Sequence, residues 1–169
     1  MVVRLGMTRI QSKVLLWTIL AASLCGLAAA LASQYVFAMQ PCPWCILQRL
    51  ICVLLVIACV VGLAQDSALG HRLAGATAML LALSGVAAAF WQHFEAARTD
   101  ACVLTLADRI LSVYTHLDRW LPSVFAVRAS CAQAEVAVLG LPYEFWSLGL
   151  FVAMSIASAR LVVAPRVRV

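Results

Sequence analysis

The residues with the clearest chemical potential are two cysteines at Cys-x-x-Cys spacing, Cys42 and Cys45. Thiols at this spacing can close a small disulfide ring, and a pair that opens and closes readily is the working part of thiol–disulfide oxidoreductases. From Cys45 onward the chain is apolar for about 20 residues, which is enough to cross a bilayer as a helix. Cys45 is therefore expected in the first turn of that helix, where unpaired backbone N–H groups and the helix dipole favour a thiolate.

Arg49 lies one turn beyond Cys45 on the same face of the predicted helix. A charge within a membrane segment is costly and usually has a polar function. Cys45 and Arg49 together indicate a pocket at the membrane edge for an electron-poor molecule that carries oxygen atoms. The alternative is an interfacial arginine whose side chain extends to the lipid headgroups.

The composition shows which class of protein must position these residues. Of the 169 residues, 65% are hydrophobic and 11% are charged, and the mean hydropathy is +1.01. Soluble domains are closer to half apolar and a quarter charged. The sequence therefore predicts an all-α integral membrane protein with a single domain over residues 1–169. The formal charge of +5 is assigned to membrane topology, and no nucleic-acid partner is expected.

Four apolar stretches of spanning length predict a four-transmembrane-helix bundle. The expected spans are residues 14–33, 45–64, 73–91 and 145–163. The first span follows basic residues, as a signal peptide does, but its length favours a retained helix. Two connections, residues 34–44 and 92–144, then lie on one side of the membrane, and both termini lie on the other.

The distribution of basic residues predicts the orientation of the bundle. Arginine and lysine dominate the side that holds the termini, where Asp66 is the sole acidic residue, whereas acidic residues outnumber basic ones over 92–144. Both termini are therefore expected in the cytoplasm. The two cysteine-bearing connections are expected in the periplasm, outside a bacterial inner membrane, where disulfides persist.

The long periplasmic loop, residues 92–144, holds a second cysteine pair, Cys102 and Cys131. The four outward cysteines allow three disulfide pairings, which the residues alone leave open. A metal site is not expected, because these thiols lack companion ligands at familiar spacing. Apolar residues between the two loop cysteines recur at helical spacing and predict a short amphipathic helix on the membrane surface: Leu106, Ile110, Val113, Leu117, Trp120 and Leu121.

Three further cysteines, Cys25, Cys52 and Cys59, fall in the middle of predicted spans. Cysteine commonly behaves as a small buried apolar residue when it has no reactive partner. These three are therefore predicted to be buried and to take no part in redox chemistry.

Several motifs accompany the two cysteine pairs. The second span opens with Cys-x-x-Cys-x-x-Gln-Arg at residues 42–49, and Gln92-His93 follows the third span. The loop and the start of the last span contain four more: DRWLPSVF at 118–125, SCA at 130–132, LGLP at 139–142 and WSLG at 146–149. This combination, which covers nearly the whole chain, resembles the DsbB family of membrane proteins for disulfide bond formation.

The resemblance implies a protein-dithiol:quinone oxidoreductase with disulfides Cys42–Cys45 and Cys102–Cys131. A periplasmic oxidase of the DsbA type, with a thioredoxin fold, would attack Cys102. The Cys42–Cys45 pair would then reoxidise the loop pair through a transient link between Cys42 and Cys131.

The resemblance also implies where the electrons go. Cys45 would pass them to a quinone of the membrane pool, with ubiquinone expected ahead of menaquinone. Arg49 and His93 occupy positions that match those associated with the quinone in the family.

Two other classes of protein remain open. A tetraspanin-type adaptor also has four spans and two cysteine pairs, but it gives no reason for Arg49 one turn below a Cys-x-x-Cys, and its disulfides should resist mild reductant. An enzyme similar to vitamin K epoxide reductase also couples a helix-end Cys-x-x-Cys to loop cysteines and a quinone. In that family the Cys-x-x-Cys comes late in the bundle, whereas here it opens the second span.

Overall fold

The computed structural model describes residues 8–96, 107, 109–110, 115–129 and 137–163. In chain order, its elements are α1 (Arg9–Tyr35), α2 (Pro43–Gln65), α3 (Ala68–Trp91), a π-helical turn (Gln92–Ala96), α4 (Leu117–Trp120), α5 (Pro122–Phe125), β1 (Ala137–Val138), β2 (Leu141–Pro142) and α6 (Tyr143–Val163). Helices α1, α2, α3 and α6 are long and apolar enough to cross a membrane. The predicted four-helix membrane fold is thereby confirmed.

The helices begin earlier than hydropathy predicts, because polar caps extend them. Helix α1 begins at Arg9, where the Thr8 side chain accepts a hydrogen bond from the Gln11 backbone and the Gln11 side chain accepts one from Thr8. Helix α3 begins at Ala68, and the Ser67 side chain accepts from the backbone N–H of Gly70. These caps accept hydrogen bonds from backbone N–H groups of the first turn that would otherwise be unpaired. The first turn can therefore form from polar residues that a hydropathy pattern leaves out of the span.

The bundle is held together by close contact between helices. Helix α3 packs against α2 and α6, and α1 packs against α2 and α6. A Cβ atom at Gly75 of α3 would lie 2.6 Å from the Leu161 Cβ of α6, which is fixed by its backbone, so this approach requires glycine. Lipid gives helices little hydrophobic reason to associate, and close van der Waals contact supplies the attraction instead.

We call one end of the bundle the cysteine end, where α1 and α3 finish and α2 and α6 begin. The other end, where Asp66 joins α2 to α3, is the Asp66 end. At the cysteine end, β1 and β2 form an antiparallel hairpin just before α6. The hairpin turn places Leu139 at φ 54° and Gly140 at φ 81°, a left-handed geometry that matches the twist of two-residue hairpins.

The loop after α3 contains two four-residue helices, α4 and α5, within its described part. His116 has a φ of 50°, so no regular helix continues through it into Leu117. Here the structure differs from the single amphipathic helix predicted over these positions. Trp120 is 81% exposed, and its placement on a membrane surface stays a prediction.

Candidate functional site

The Cys-x-x-Cys pair is shaped by the start of α2. Cys42 occupies the N-cap position in an extended conformation, and Pro43 follows as the first helical residue. The Cys42 sulfur accepts a hydrogen bond from the Cys45 backbone N–H at 3.3 Å and lies 2.9 Å from the Cys45 sulfur. The prediction that Cys45 lies in the first helical turn is confirmed. Cys42 is fully buried, whereas Cys45 is partly exposed.

Arg49 lies inside the bundle, with only 4% of its surface exposed. Its NH1 group donates to Gln34 Oε1 at 2.6 Å and to the Val124 carbonyl at 2.9 Å. Its NH2 group donates to the Ala30 carbonyl at 2.8 Å. This geometry does not fit an arginine that extends to lipid headgroups. All three acceptors are neutral, so they orient the guanidinium without cancelling its charge.

A segment of the long loop packs over the cysteine end. The Tyr35 hydroxyl donates to the Ser123 carbonyl at 2.6 Å. Phe125 is buried against Ile46 of α2. Together with the bond from Arg49 to Val124, these contacts attach α5 to the ends of α1 and α2.

The chain that follows α5 is bonded next to the Cys-x-x-Cys. The backbone N–H groups of Arg128 and Ala129 both donate to the Pro41 carbonyl, at 3.1 and 3.3 Å. Pro41 directly precedes Cys42, and Ala129 precedes Cys131 by two residues. Cys131 and Cys102 themselves lie outside the described residues, so their predicted pairing is not tested.

A cavity of about 450 Å³ opens between α1, α2 and α6. Cys45, Gln48 and Arg49 line its polar side, and its other walls are mainly apolar. Pockets of this size hold small organic molecules, which are oriented by a few converging polar groups. The predicted pocket that contains Cys45 and Arg49 is therefore present. A thiol, a cation and apolar walls suit an electron-poor ring with oxygen substituents.

A pair of glutamines links α2 and α3 beside the Cys45 sulfur. Gln48 Nε2 donates to Gln92 Oε1 at 2.9 Å, and Gln92 Nε2 donates to Cys45 Sγ at 3.4 Å. Sequence reasoning used both residues as motif positions and assigned neither of them a role. It also did not identify Gln34 as a partner of Arg49. The one feature of the sequence that could have indicated this is a polar residue at the end of an apolar span.

His93 does not line this cavity as far as the described residues define it. Its Nδ1 lies 2.8 Å from Glu144 Oε1, and its ring stacks edge-on with Phe94 and Phe145, at centroid distances of 4.9 and 4.7 Å. The contact joins the end of α3 to the start of α6. Its predicted role in quinone binding stays a prediction.

The remaining cysteines are distributed unevenly. Cys52 and Cys59 are buried, as predicted. Cys25, which lies on the wall of the open cavity, is exposed, and the prediction that it is buried is wrong. Cys25 and Cys52 both line the cavity; their predicted lack of a redox role is not tested.

Known proteins with similar sequences indicate the family of this chain. The family model for "Disulfide bond formation protein DsbB" matches residues 12–161. Disulfide bond formation protein B of Burkholderia pseudomallei (strain 1106a) is 32% identical over 136 residues, covering 79% of each chain. The protein of the same name from Escherichia coli (strain K12) is 29% identical over 151 residues, covering 80% of this chain and 77% of the relative. That of Herminiimonas arsenicoxydans is 28% identical over 147 residues, covering 86% and 92%.

The family match extends over all four spanning helices and over the cysteine end that they form. Family membership brings with it a role in disulfide bond formation. The chain therefore belongs to the DsbB family, and it is a multi-pass membrane oxidoreductase of disulfide bond formation.

Proposed function

We propose that the protein reoxidises a periplasmic dithiol oxidase of the DsbA type and passes the electrons through two cysteine pairs to a membrane quinone. The observation that carries this proposal is the shared cavity of Cys45 and Arg49, in a chain of the DsbB family. A soluble partner cannot enter lipid, and a quinone with a long apolar tail cannot leave it. A protein with thiols at the membrane edge can connect the two.

The proposed transfer between proteins is a series of thiol–disulfide exchanges. A partner thiolate attacks Cys102, Cys131 leaves as a thiolate, and the second partner thiol then closes the partner's disulfide. The reduced loop pair is reoxidised by the Cys42–Cys45 disulfide in the same way. Each exchange breaks one S–S bond and forms another, so two electrons move inward without loss. The bonds from Arg128 and Ala129 to Pro41 support this relay, since they hold the chain before Cys131 next to Cys42.

The last step moves those two electrons, with two protons, from the Cys42–Cys45 dithiol to the quinone. The dithiol is thereby oxidised to a disulfide, and the quinone is reduced to the quinol. DsbA is itself a strong oxidant at about −120 mV, so the acceptor must be more oxidising still. We therefore expect ubiquinone ahead of the less oxidising menaquinone.

Arg49 supplies the positive charge that this step requires. Negative charge develops on a ring oxygen as the ring accepts electrons, and a fixed cation in a low-dielectric site stabilises it. The hydrogen bonds from Arg49 to Gln34, Val124 and Ala30 fix the guanidinium before the reaction begins. His93, which contacts Glu144, is also proposed to contribute to quinone binding, but less than Arg49 does.

The proposed orientation follows the distribution of charge. The cysteine end faces the periplasm of a bacterial inner membrane, and the Asp66 end and both termini face the cytoplasm. This arrangement places the reactive thiols where disulfides persist.

The proposal is tested by quinone reduction with the purified protein in detergent, followed by ultraviolet absorbance, with a reduced DsbA-type protein as electron donor. We expect quinone consumption to match the loss of donor thiols, and the Cys45→Ser variant to be inactive. Cys59→Ala, a substitution outside the cavity on the same helix, is the control and should retain turnover. Quinone that stays oxidised in the presence of a competent donor and the unaltered chain would reject the proposal and favour the adaptor.

A further inference from the structure

We propose that Gln92 is a further catalytic residue, which donates a hydrogen bond to the Cys45 thiolate, and that Gln48 is the positioning residue that orients it. The place of this contact in a reaction rests on the proposed function. The contact itself can be tested without a quinone or a partner protein.

The direction of the bond to sulfur follows from the other bond of Gln92. A glutamine amide has one oxygen that accepts and one NH2 group that donates. Gln48 Nε2 donates to Gln92 Oε1 at 2.9 Å, so the oxygen of Gln92 is engaged and its NH2 group faces Cys45 Sγ at 3.4 Å. Both glutamines are largely buried, which limits competition from water for these atoms. Gln48 thus determines that a donor, and not an acceptor, meets the sulfur.

A donor at this place distinguishes between the states of Cys45. A neutral thiol is a weak acceptor, whereas a thiolate is a charged acceptor, and hydrogen bonds to charged groups are about twice as strong. The contact therefore stabilises the thiolate more than the thiol. Negative charge builds up on Cys45 when the Cys42–Cys45 disulfide is attacked at Cys42 and Cys45 leaves as a thiolate. An interaction that strengthens as that charge develops accelerates this exchange.

The local backbone explains how Gln92 reaches the sulfur. Gln92 ends α3, and its backbone N–H is shared between the Ala88 and Ala89 carbonyls. The π-helical turn Gln92–Ala96 begins at this residue, and π-helical turns often occur at functional sites. Gln92 contacts Cys45 on α2, while the adjacent His93 contacts Glu144 on α6. At this turn, two neighbouring side chains therefore point toward two different helices.

A neutral donor complements Arg49. Each additional charge inside a membrane protein is costly, and Arg49 already supplies one on the α2 side. Gln92 adds a donor from α3 without adding a charge. Along the cavity and at the cysteine end of the surrounding elements, the described titratable side chains are those of Cys42 at the N-cap of α2, Arg49 and Cys52 on α2, Cys25 and Tyr35 on α1, His93 on the π-helical turn, and Tyr143 and Glu144 on α6.

The test is the pH profile of Cys45 alkylation by iodoacetamide in the full-length protein, reduced and in detergent. Mass spectrometry of the peptide that contains Cys45 separates its reaction from that of the other thiols. The variants are Gln92→Leu, Gln92→Glu and Gln48→Leu. Gln65→Leu, the same change at the exposed opposite end of α2, is the matched control.

We expect Gln92→Leu to slow alkylation at neutral pH by about tenfold, the value of one hydrogen bond to a charged group, and to move the midpoint of the profile to higher pH. Gln92→Glu, which places a carboxylate against the sulfur, should have a larger effect. Gln48→Leu should have a smaller effect in the same direction, because Gln92 then loses its orientation. Gln65→Leu should leave the profile unchanged.

An unchanged profile in Gln92→Leu or, where that variant does not fold, in Gln92→Glu and Gln48→Leu, overturns the proposal. Quinone reduction measured on the unaltered chain separates this failure from that of the proposed function. If the unaltered chain reduces quinone but the glutamine variants have unchanged alkylation profiles, only the proposed role of Gln92 is rejected. If the unaltered chain reduces no quinone but the variants have shifted profiles, the contact between Gln92 and Cys45 is supported and the proposed function is rejected.

Discussion

Each end of the bundle has a cationic side chain from a spanning helix, but the two side chains differ in their hydrogen-bond partners and in their burial. At the Asp66 end, Lys13 Nζ lies 2.8 Å from Asp66 Oδ1, and both side chains are well exposed. At the cysteine end, Arg49 is buried, and every hydrogen-bond acceptor that it has in the described part of the chain is neutral. The charge of Lys13 is thus neutralised in place, whereas that of Arg49 is retained.

The unneutralised charge of Arg49 indicates a ligand-binding role for the cysteine end, whereas the paired charge of Lys13 indicates a structural role for the Asp66 end. A buried charge is costly unless a counter-charge accompanies it. Arg49 faces the cavity together with Cys45, so a ligand that gains negative charge can supply the missing counter-charge. The exposed pair at the Asp66 end only connects α1 to the α2–α3 turn, and exposed pairs contribute little to stability.

Removal of the charge at the cysteine end should affect turnover most. We predict that Arg49→Met lowers kcat/KM for quinone by at least about tenfold, because a fixed cation that stabilises charge as it develops in the reaction has that value or more. Steady-state quinone reduction measures the change. Lys13→Met, which removes the cation of the exposed pair at the Asp66 end, should leave kcat/KM unaltered. An unchanged kcat/KM in Arg49→Met would remove Arg49 from the site, and the two cations would then not differ in function.

A medium effect is expected at the contact between His93 and Glu144, which also lies at the cysteine end. Glu144→Gln weakens the bond to His93 Nδ1, which measures 2.8 Å, and should lower the stability by about 1–2 kcal/mol. Thermal unfolding in detergent measures this, and a variant as stable as the original chain would contradict the contact. His93→Phe sharpens the result, because a raised quinone KM would support the role implied by family resemblance. An unaltered KM would make the pair structural.

The smallest effect is expected at Asp66, where Lys13 holds the pKa of the carboxylate below its ordinary value. A carboxylate with a lowered folded-state pKa stabilises the protein above its ordinary pKa, and this stability is lost as the pH falls through the folded-state value. Asn tolerates the left-handed conformation of Asp66, so Asp66→Asn is the suitable variant. Its small deficit in melting temperature at neutral pH should vanish in acid. A deficit that grows as the pH falls would contradict the assignment.

Hydropathy was sufficient to predict the four spans, because the sequence shows the length of each apolar stretch directly. Helical periodicity was sufficient to predict that Cys45 and Arg49 share one face of α2 and therefore line one cavity. The first turns of α1 and α3 were missed, because Thr8 and Ser67 begin these helices with polar residues that a hydropathy pattern does not count.

The contacts between helices could not be predicted in this way. Gln34 meets Arg49, and Gln92 meets Cys45, only because neighbouring helices are rotated and shifted to particular positions. Those positions depend on packing details such as the close approach at Gly75. The π-helical turn likewise directs His93 to Glu144, which a regular helical pattern does not anticipate.

The proposed function depends on the transfer of electrons from Cys45 to a quinone held in the cavity between α1, α2 and α6. Filling the cavity tests this step, with Ala29→Trp at a lining position and Ala28→Trp, its neighbour outside the lining, as the matched control. Reduced protein is mixed with quinone, and quinol formation is followed by absorbance. We expect Ala29→Trp to form no quinol although a small oxidant such as diamide still oxidises its dithiol, whereas Ala28→Trp should behave like the original chain. Quinol formation at full rate in Ala29→Trp would show that the quinone does not react in this cavity.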